Sequence, residues 1–301
     1  MQVFLTGGSG YIGTAVLDAL MRSGHQVTAL VRDPEKAARI EARGATTVLG
    51  ELAGPARFLK QAVAADAVVH TAFEATPRGP AVDQQFLDVM LPALAGAAQP
   101  RAFIYTSGIW VLGPQPGGAD ETAALAPVDL VSWRPGHEAQ VLAAHSGQLR
   151  TAVVRPGIVY GSARGIVSDM LKDALNGLVR VIGDGTNRWP CVYDRDLGDL
   201  YARIVASADA AGVFHAAGDE DERVLDIAEA IRSHVDPVAD IRFMPLAEAH
   251  AKMGPYADAL ALDQVVRCPR ARALGWSPAM HGITGNAPRL FEEYRRAASR
   301  E

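Results

Sequence analysis

Cysteine is nearly missing from this chain. Cys191 and Cys268 stand alone among 301 residues, too few for a disulfide framework and outside any metal-ligand spacing. Lysine is almost as scarce: Lys36, Lys60, Lys172 and Lys252 complete the set, and arginine carries nearly all the positive charge. The formal net charge is −5, with acids and bases interspersed, which argues against a nucleic-acid surface or a polybasic membrane anchor. No apolar run reaches membrane-spanning length, and no charged-then-apolar leader precedes the first apolar run. The expectation is therefore a protein of the reducing cytoplasm, with no membrane and no nucleic-acid partner. The 8 histidines are scattered and form no HExxH or other ligand cluster, so no metal is expected. Aromatics are only 6% of the chain, yet hydrophobic residues make up 49%, enough for a full core. The length suits one large α/β domain or a domain plus a smaller lobe.

What is present is concentrated at the N-terminus. Val3-Phe4-Leu5 is a short apolar run, and Thr6-Gly7-Gly8-Ser9-Gly10-Tyr11-Ile12-Gly13 follows it with no spacer. A helical period begins at once: Ile12, Val16 and Leu20 recur every four residues, backed by Ala15 and Ala19. This is strand, glycine turn, helix. Gly7 permits the tight turn, Gly10 lets backbone approach a pyrophosphate, and Gly13 lets helix pack on strand. The helix N-terminus supplies unpaired N–H groups and a partial positive charge. A second strand at Val27–Val31 places the turn in a dinucleotide-binding context.

Strands and helices then alternate. Strands are expected at Thr46–Leu49, Ala67–His70, Ala102–Thr106, Thr151–Val154, Val179–Ile182 and Gly212–Ala216. Helices are expected from Pro34, over Phe58–Val63, Phe86–Ala98, Glu138–Ala144, Ile166–Leu175 and Asp196–Ala206, and at Leu290–Ala298. This rhythm implies an α/β fold: a doubly wound parallel Rossmann sheet with a smaller, mostly helical C-terminal substrate lobe. Residues 1–161 plus about 193–218 are assigned to the NAD(P)-binding domain, and about 162–192 and 219–301 to the lobe. Ala75–Ala81 and Gly113–Ala126 read as Gly/Pro/Ala-rich loops at the active-site rim.

Taken in order, the motifs resemble the extended branch of the short-chain dehydrogenase/reductase superfamily, the NAD-dependent epimerase/dehydratase family. The glycine turn matches TGxxGxxG. Asp66-Ala67-Val68-Val69-His70-Thr71-Ala72 is similar to the strand passing beside the adenosine, and Ile104-Tyr105-Thr106-Ser107 to the strand delivering the active-site Ser. Arg155-Pro156-Gly157-Ile158-Val159-Tyr160-Gly161 resembles the segment beneath the nicotinamide. Val192-Tyr193-Asp194-Arg195-Asp196-Leu197 and Leu274-Gly275-Trp276-Ser277-Pro278 resemble two late family segments. The resemblance implies a cofactor set of Thr6, Gly7, Ser9, Gly10, Tyr11, Ile12, Gly13, Arg32, Leu52, His70, Thr71, Ala72, Thr106, Pro156 and Ile158. It implies an NAD(P)-dependent oxidoreductase acting on a small carbonyl or alcohol, with a homodimer as a family-level expectation. A cofactor-bound epimerase, isomerase or lyase, and a non-catalytic NADP sensor, stay open as alternatives.

Two local features bear on chemistry. Where a family NAD-binder carries an acid at the end of the second strand, this chain has Val31 followed by Arg32. An arginine attracts a 2′-phosphate that a carboxylate would repel, which favours NADP over NAD. Asp33, one residue on, is the alternative ribose contact. The family's Tyr-x-x-x-Lys pair is absent, and its spacing puts Trp133 at the Tyr position and His137 at the Lys position. Tryptophan has no proton to give near neutrality, whereas histidine does. Ser107 is expected to bond a substrate carbonyl. The acid would come from His137, from a relocated tyrosine such as Tyr193 or Tyr160, or from water. Pro135-Gly136 is expected to weaken the helix start here. Arg188-Trp189-Pro190 is expected to shape the substrate side of the cleft, or to be a structural turn.

Overall fold

Apolar runs become strands and amphipathic periods become helices along the whole chain, which the computed structural model describes over residues 1–299. The first half runs β1 (Gln2–Thr6), α1 (Tyr11–Arg22), β2 (Gln26–Val31), α2 (Pro34–Glu41), β3 (Thr46–Leu49), α3 (Leu59–Ala64), β4 (Ala67–His70), α4 (Gly79–Ala95), β5 (Arg101–Thr106), β6 (Gln115–Ala119), α5 (Arg134–Ala143), β7 (Leu149–Pro156) and β8 (Ile158–Tyr160). There follow α6 (Ile166–Leu175), β9 (Leu178–Ile182), β10 (Cys191–Tyr193), α7 (Asp194–Ala206), β11 (Gly212–Ala216), α8 (Val224–Arg232), β12 (Asp240–Met244), α9 (Leu246–Met253), α10 (Pro255–Leu260), β13 (Gln264–Val266), α11 (Pro269–Ala273) and α12 (Ala287–Ala298).

Seven strands form one parallel sheet in the order β11-β7-β5-β4-β1-β2-β3. Helices cover both faces, so Val3, Phe4, Leu5 and Thr6 are all buried although they point alternately to opposite sides. The chain leaves β1 for β2 and β3 on one side and returns to β4 and β5 on the other. The crevice between the C-terminal ends of β1 and β4 is therefore the switch point where open α/β sheets bind ligands.

A second core, built from Tyr160, Met170, Leu171, Val181, Trp189, Ile227, Ile231 and Phe291, forms the lobe. The lobe carries strand pairs as well as helices: β9 with β12, and β8 with β10. Its sequence does not stay apart, because Val266, Cys268, Ala271 and Trp276 pack into the core of the main sheet. Two expectations need correction. Gly113–Ala126 is not all loop, since β6 lies within it and pairs with β13 about 150 residues later. Pro135-Gly136 does not weaken α5, which begins at Arg134. Pro135 sits in the first turn, where its missing N–H has no helical partner to lose.

One buried histidine gives the fold a pH signature. His215 on β11 is fully buried; its Nδ1 faces the Arg267 carbonyl at 3.3 Å and its Nε2 faces Arg155 Nη1 at 3.4 Å. Burial, and then the Arg155 charge, push its pKa down from 6.5 to about 4. Below pH 6.5 the unfolded chain takes a proton there and the folded chain does not. The stability tied to His215 is thus whole above pH 6.5 and is lost as pH falls toward 4. Between pH 7 and 5 we expect a loss of up to roughly 2 kcal/mol, read from urea midpoints. His215→Gln should flatten that slope; an unchanged slope in the variant would place the effect elsewhere.

Candidate active site

At Gly7 and Gly13 the glycine turn closes too tightly for any side chain. Gly7 has φ +77°, and a Cβ there would lie 2.7 Å from the Ala72 nitrogen. A Cβ on Gly13 would sit 1.9 Å from the Gly7 carbonyl oxygen. Gly10 differs: its Cβ would meet the Gly7 oxygen at 3.1 Å and otherwise open space. Among the described residues no side chain caps α1, and its first turn carries no acid. A helix N-terminus with unspent N–H groups, beside a volume that one methyl would fill, fits a pyrophosphate.

Thr6, Thr71 and Ala72 lock β1 to the end of β4. Thr71 Oγ1 donates to the Thr6 carbonyl at 2.7 Å, and the Ala72 N–H to Thr6 Oγ1 at 3.3 Å. His70, expected at the cofactor, turns the other way. Its ring stacks on Phe86 at 4.2 Å, with Nδ1 2.7 Å from Thr6 Oγ1 and Nε2 2.9 Å from Asp83 Oδ1. The sequence reading missed Asp83, which organises this region. It also accepts from Tyr105 (2.6 Å) and from His137 Nδ1 (2.7 Å). Burial alone would raise the Asp83 carboxyl, but hydrogen bonds led by those from His137 and His70 outweigh it and hold it well below the usual carboxylate range. Ala72, Thr6, His70 and Asp83 thus form one hydrogen-bonded chain, and His137 Nδ1 joins it at Asp83 Oδ2. A signal existed in the sequence: Val82, Phe86, Leu87 and Met90 make an apolar stripe on α4, and Asp83 is the one acid on it.

Beside the glycine turn a cleft of about 720 Å³ opens at the C-terminal ends of β5 and β7. Tyr11, Ile12, Ser107, Trp133, Pro156 and Ile158 all line it. Tyr11 donates its hydroxyl to the Gly161 carbonyl at 2.8 Å, so its ring is a wall rather than a proton source. Ser107 Oγ is buried and has no hydrogen-bond partner among the described residues. A buried hydroxyl left unpaired costs free energy, and one that faces a cleft marks a place for a ligand atom. Trp133 stacks on Phe73, with ring centroids 5.3 Å apart and planes 8° from parallel, and His137 packs edge-on behind it at 4.8 Å. Arg134, also missed, spans Trp133 (4.4 Å) and Phe73 (5.3 Å) and donates to the Thr106 carbonyl at 3.2 Å.

Other expected site residues are held elsewhere. Thr106 points its hydroxyl to the opposite face, 2.6 Å from Tyr201. Tyr193 is buried and donates to both carboxylate oxygens of Glu293 (2.9 and 2.8 Å), and burial and that carboxylate raise its pKa. Tyr160 reaches the carbonyls of Met280 and Gly282. Neither tyrosine reaches the cleft, because both pack toward the lobe. Arg188 pairs with Asp263 and Trp189 bonds the Leu260 carbonyl, so that segment is a structural turn. Leu52 is half-buried against the Phe58 cluster. Arg32 is exposed at the end of β2, and Asp33 spends a carboxylate oxygen capping α2 through the Glu35 N–H at 2.8 Å.

The model of the NAD dependent epimerase/dehydratase family matches residues 3–217. An uncharacterized protein of Saccharomyces cerevisiae is 29% identical over 299 residues, covering 94% of this chain and 96% of its own. The 2-alkyl-3-oxoalkanoate reductase of Stenotrophomonas maltophilia is 29% identical over 212 residues, 64% of this chain and 62% of that one. Solved structures share the fold, among them the following two. UDP-glucuronic acid 4-epimerase from Bacillus cereus, in complex with UDP-glucuronic acid and NAD, has a TM-score of 0.83 at 17% identity and covers 98% of this chain and 99% of its own. A human epimerase family protein with NADPH has a TM-score of 0.78 at 22% identity, covering 97% and 99%. With its glycine turn, its switch-point crevice and a family match over more than two thirds of its length, the chain belongs to the NAD-dependent epimerase/dehydratase family.

Proposed function

We propose that the protein is an NAD(P)(H)-dependent oxidoreductase of a small carbonyl or alcohol, with NADP preferred over NAD. The observation that carries the reading is Ser107, a residue on the wall of the cleft beside the glycine turn, whose buried hydroxyl has no hydrogen-bond partner among the described residues. The reductase activity named for the Stenotrophomonas relative supports the same class. A bound nicotinamide would supply or accept the hydride. The chain's own part is to hold the phosphates on the first turn of α1, hold the substrate oxygen on Ser107, and exclude water with Trp133, Phe73 and Ile12. Trp133 gives no proton, and His137 lies behind it, bonded to Asp83 and off the cleft wall, so proton exchange falls to water.

NADP preference rests on Arg32, exposed at the β2 end, and on Asp33 being engaged as a helix cap. Fluorescence titration should show NADPH binding at least tenfold tighter than NADH. Arg32→Ala should weaken NADPH about 10- to 100-fold, the worth of one to two charge-assisted bonds, and leave NADH within twofold. Preference for NADH would sink the Arg32 assignment. In a carbonyl screen that follows NADPH oxidation, Ser107→Ala should lower kcat/KM about 100-fold with NADPH affinity unchanged. A second reading is favoured by the tryptophan at position 133: an NADP-binding protein that turns nothing over. NADPH binding with no oxidation across that screen would select it.

A further inference from the structure

Among the described residues, Arg134 is the one charged side chain lining the cleft. It is also placed as ligand-binding arginines are. It makes no ion pair among the described residues; its guanidinium lies against the Trp133 and Phe73 rings, and Nη1 donates to the Thr106 carbonyl. Stacking orients the planar fork and leaves its edge for a bidentate acceptor, and most of its donors are unspent. A half-buried cation on a largely apolar cleft wall calls for an anion, because its attraction is screened less there than at an open surface. The Thr106 carbonyl that anchors Arg134 belongs to the residue directly before Ser107, so an anion site and the unpaired hydroxyl are neighbours. Ile109, Trp110, Leu130, Val131 and Ile166 make much of the remaining wall apolar.

We propose that the substrate is a monoanionic hydroxy or oxo acid with an apolar body, its carboxylate seated on Arg134 and its hydroxyl or carbonyl oxygen on Ser107. This rests on the oxidoreductase reading above. An acid whose oxygen lies one or two carbons from the carboxylate matches neighbouring donors, and a chain of several carbons fills the apolar wall. Neutral esters of the same acids lose the Arg134 contact and retain the rest.

The test is calorimetric titration of the full chain, saturated with oxidised NADP, with 3-hydroxyoctanoate and with its methyl ester. The acid should bind at least tenfold more tightly than the ester. Arg134→Gln should bring the two within about twofold of each other by weakening the acid alone, and Arg134→Lys should keep part of the difference. The proposal is overturned by an ester that binds as well as the acid, by discrimination that survives in Arg134→Gln, or by failure of both probes to bind the NADP complex. If Arg134→Gln does not fold, the wild-type ratio and Arg134→Lys decide. Absence of NADP binding itself would show in the preceding cofactor titration, so failure of the dinucleotide reading is seen separately.

Discussion

Gly13→Ala should abolish dinucleotide binding and destabilise the chain together. The added methyl would sit 1.9 Å from the Gly7 carbonyl oxygen, 2.5 Å from the Gly7 carbonyl carbon and 2.8 Å from Thr71 Oγ1. Two of these three contacts are backbone, so no rotamer change relieves the clash, and the turn or α1 must shift. A misplacement of about 1 Å in positioned groups is enough to cost 100-fold. We expect NADPH affinity to fall at least that far, with a lowered melting temperature. Gly10→Ala is the informative companion. Its methyl meets one atom at 3.1 Å and otherwise occupies space that phosphates need. It should fold normally and still lose most NADPH binding. Tight binding in folded Gly10→Ala would mean that the pyrophosphate does not lie over this turn.

Glu138→Ala should cost about 3–5 kcal/mol in urea unfolding, one of the largest losses available from a single side chain. Glu138 on α5 and Arg155 on β7 are 1% and 4% exposed, and their contacts run from 2.5 to 3.1 Å through both Nε and Nη2. Removing the carboxylate leaves a guanidinium buried without its counter-charge, next to His215, a ring that is itself kept neutral. The penalty is that of an uncompensated charge rather than of a lost bond. The double variant Glu138→Leu with Arg155→Met should recover much of the loss, because apolar groups of similar volume carry no desolvation debt. Because α5 also positions Trp133, Arg134 and His137, Glu138→Ala should loosen the cleft wall. A loss below about 1 kcal/mol would show that water reaches this pair and that it does not anchor α5.

The sequence by itself determined the frame. The apolar runs at β1, β2 and β4, the glycine turn and the alternation of periods specify the parallel sheet and its switch point, because those signals are local: a pattern of burial and two positions, Gly7 and Gly13, that tolerate no side chain. The place of Ser107 on the cleft wall was legible for the same reason, since it directly follows a strand whose direction the alternation fixes. What the tertiary structure decided was which polar side chains face the cleft. His70 and Tyr193 looked like site residues in one dimension. They are core residues in three because Asp83, on a helix 13 positions on, and Glu293, 100 positions away, claim them. Arg134 drew no attention beside Trp133 and His137, yet it is the one of the three whose charge reaches the cleft, because His137 is drawn back to Asp83 while Trp133 and Phe73 hold the guanidinium in front. Hydrogen-bond partners distant in sequence set where a side chain points, and no local pattern carries that information.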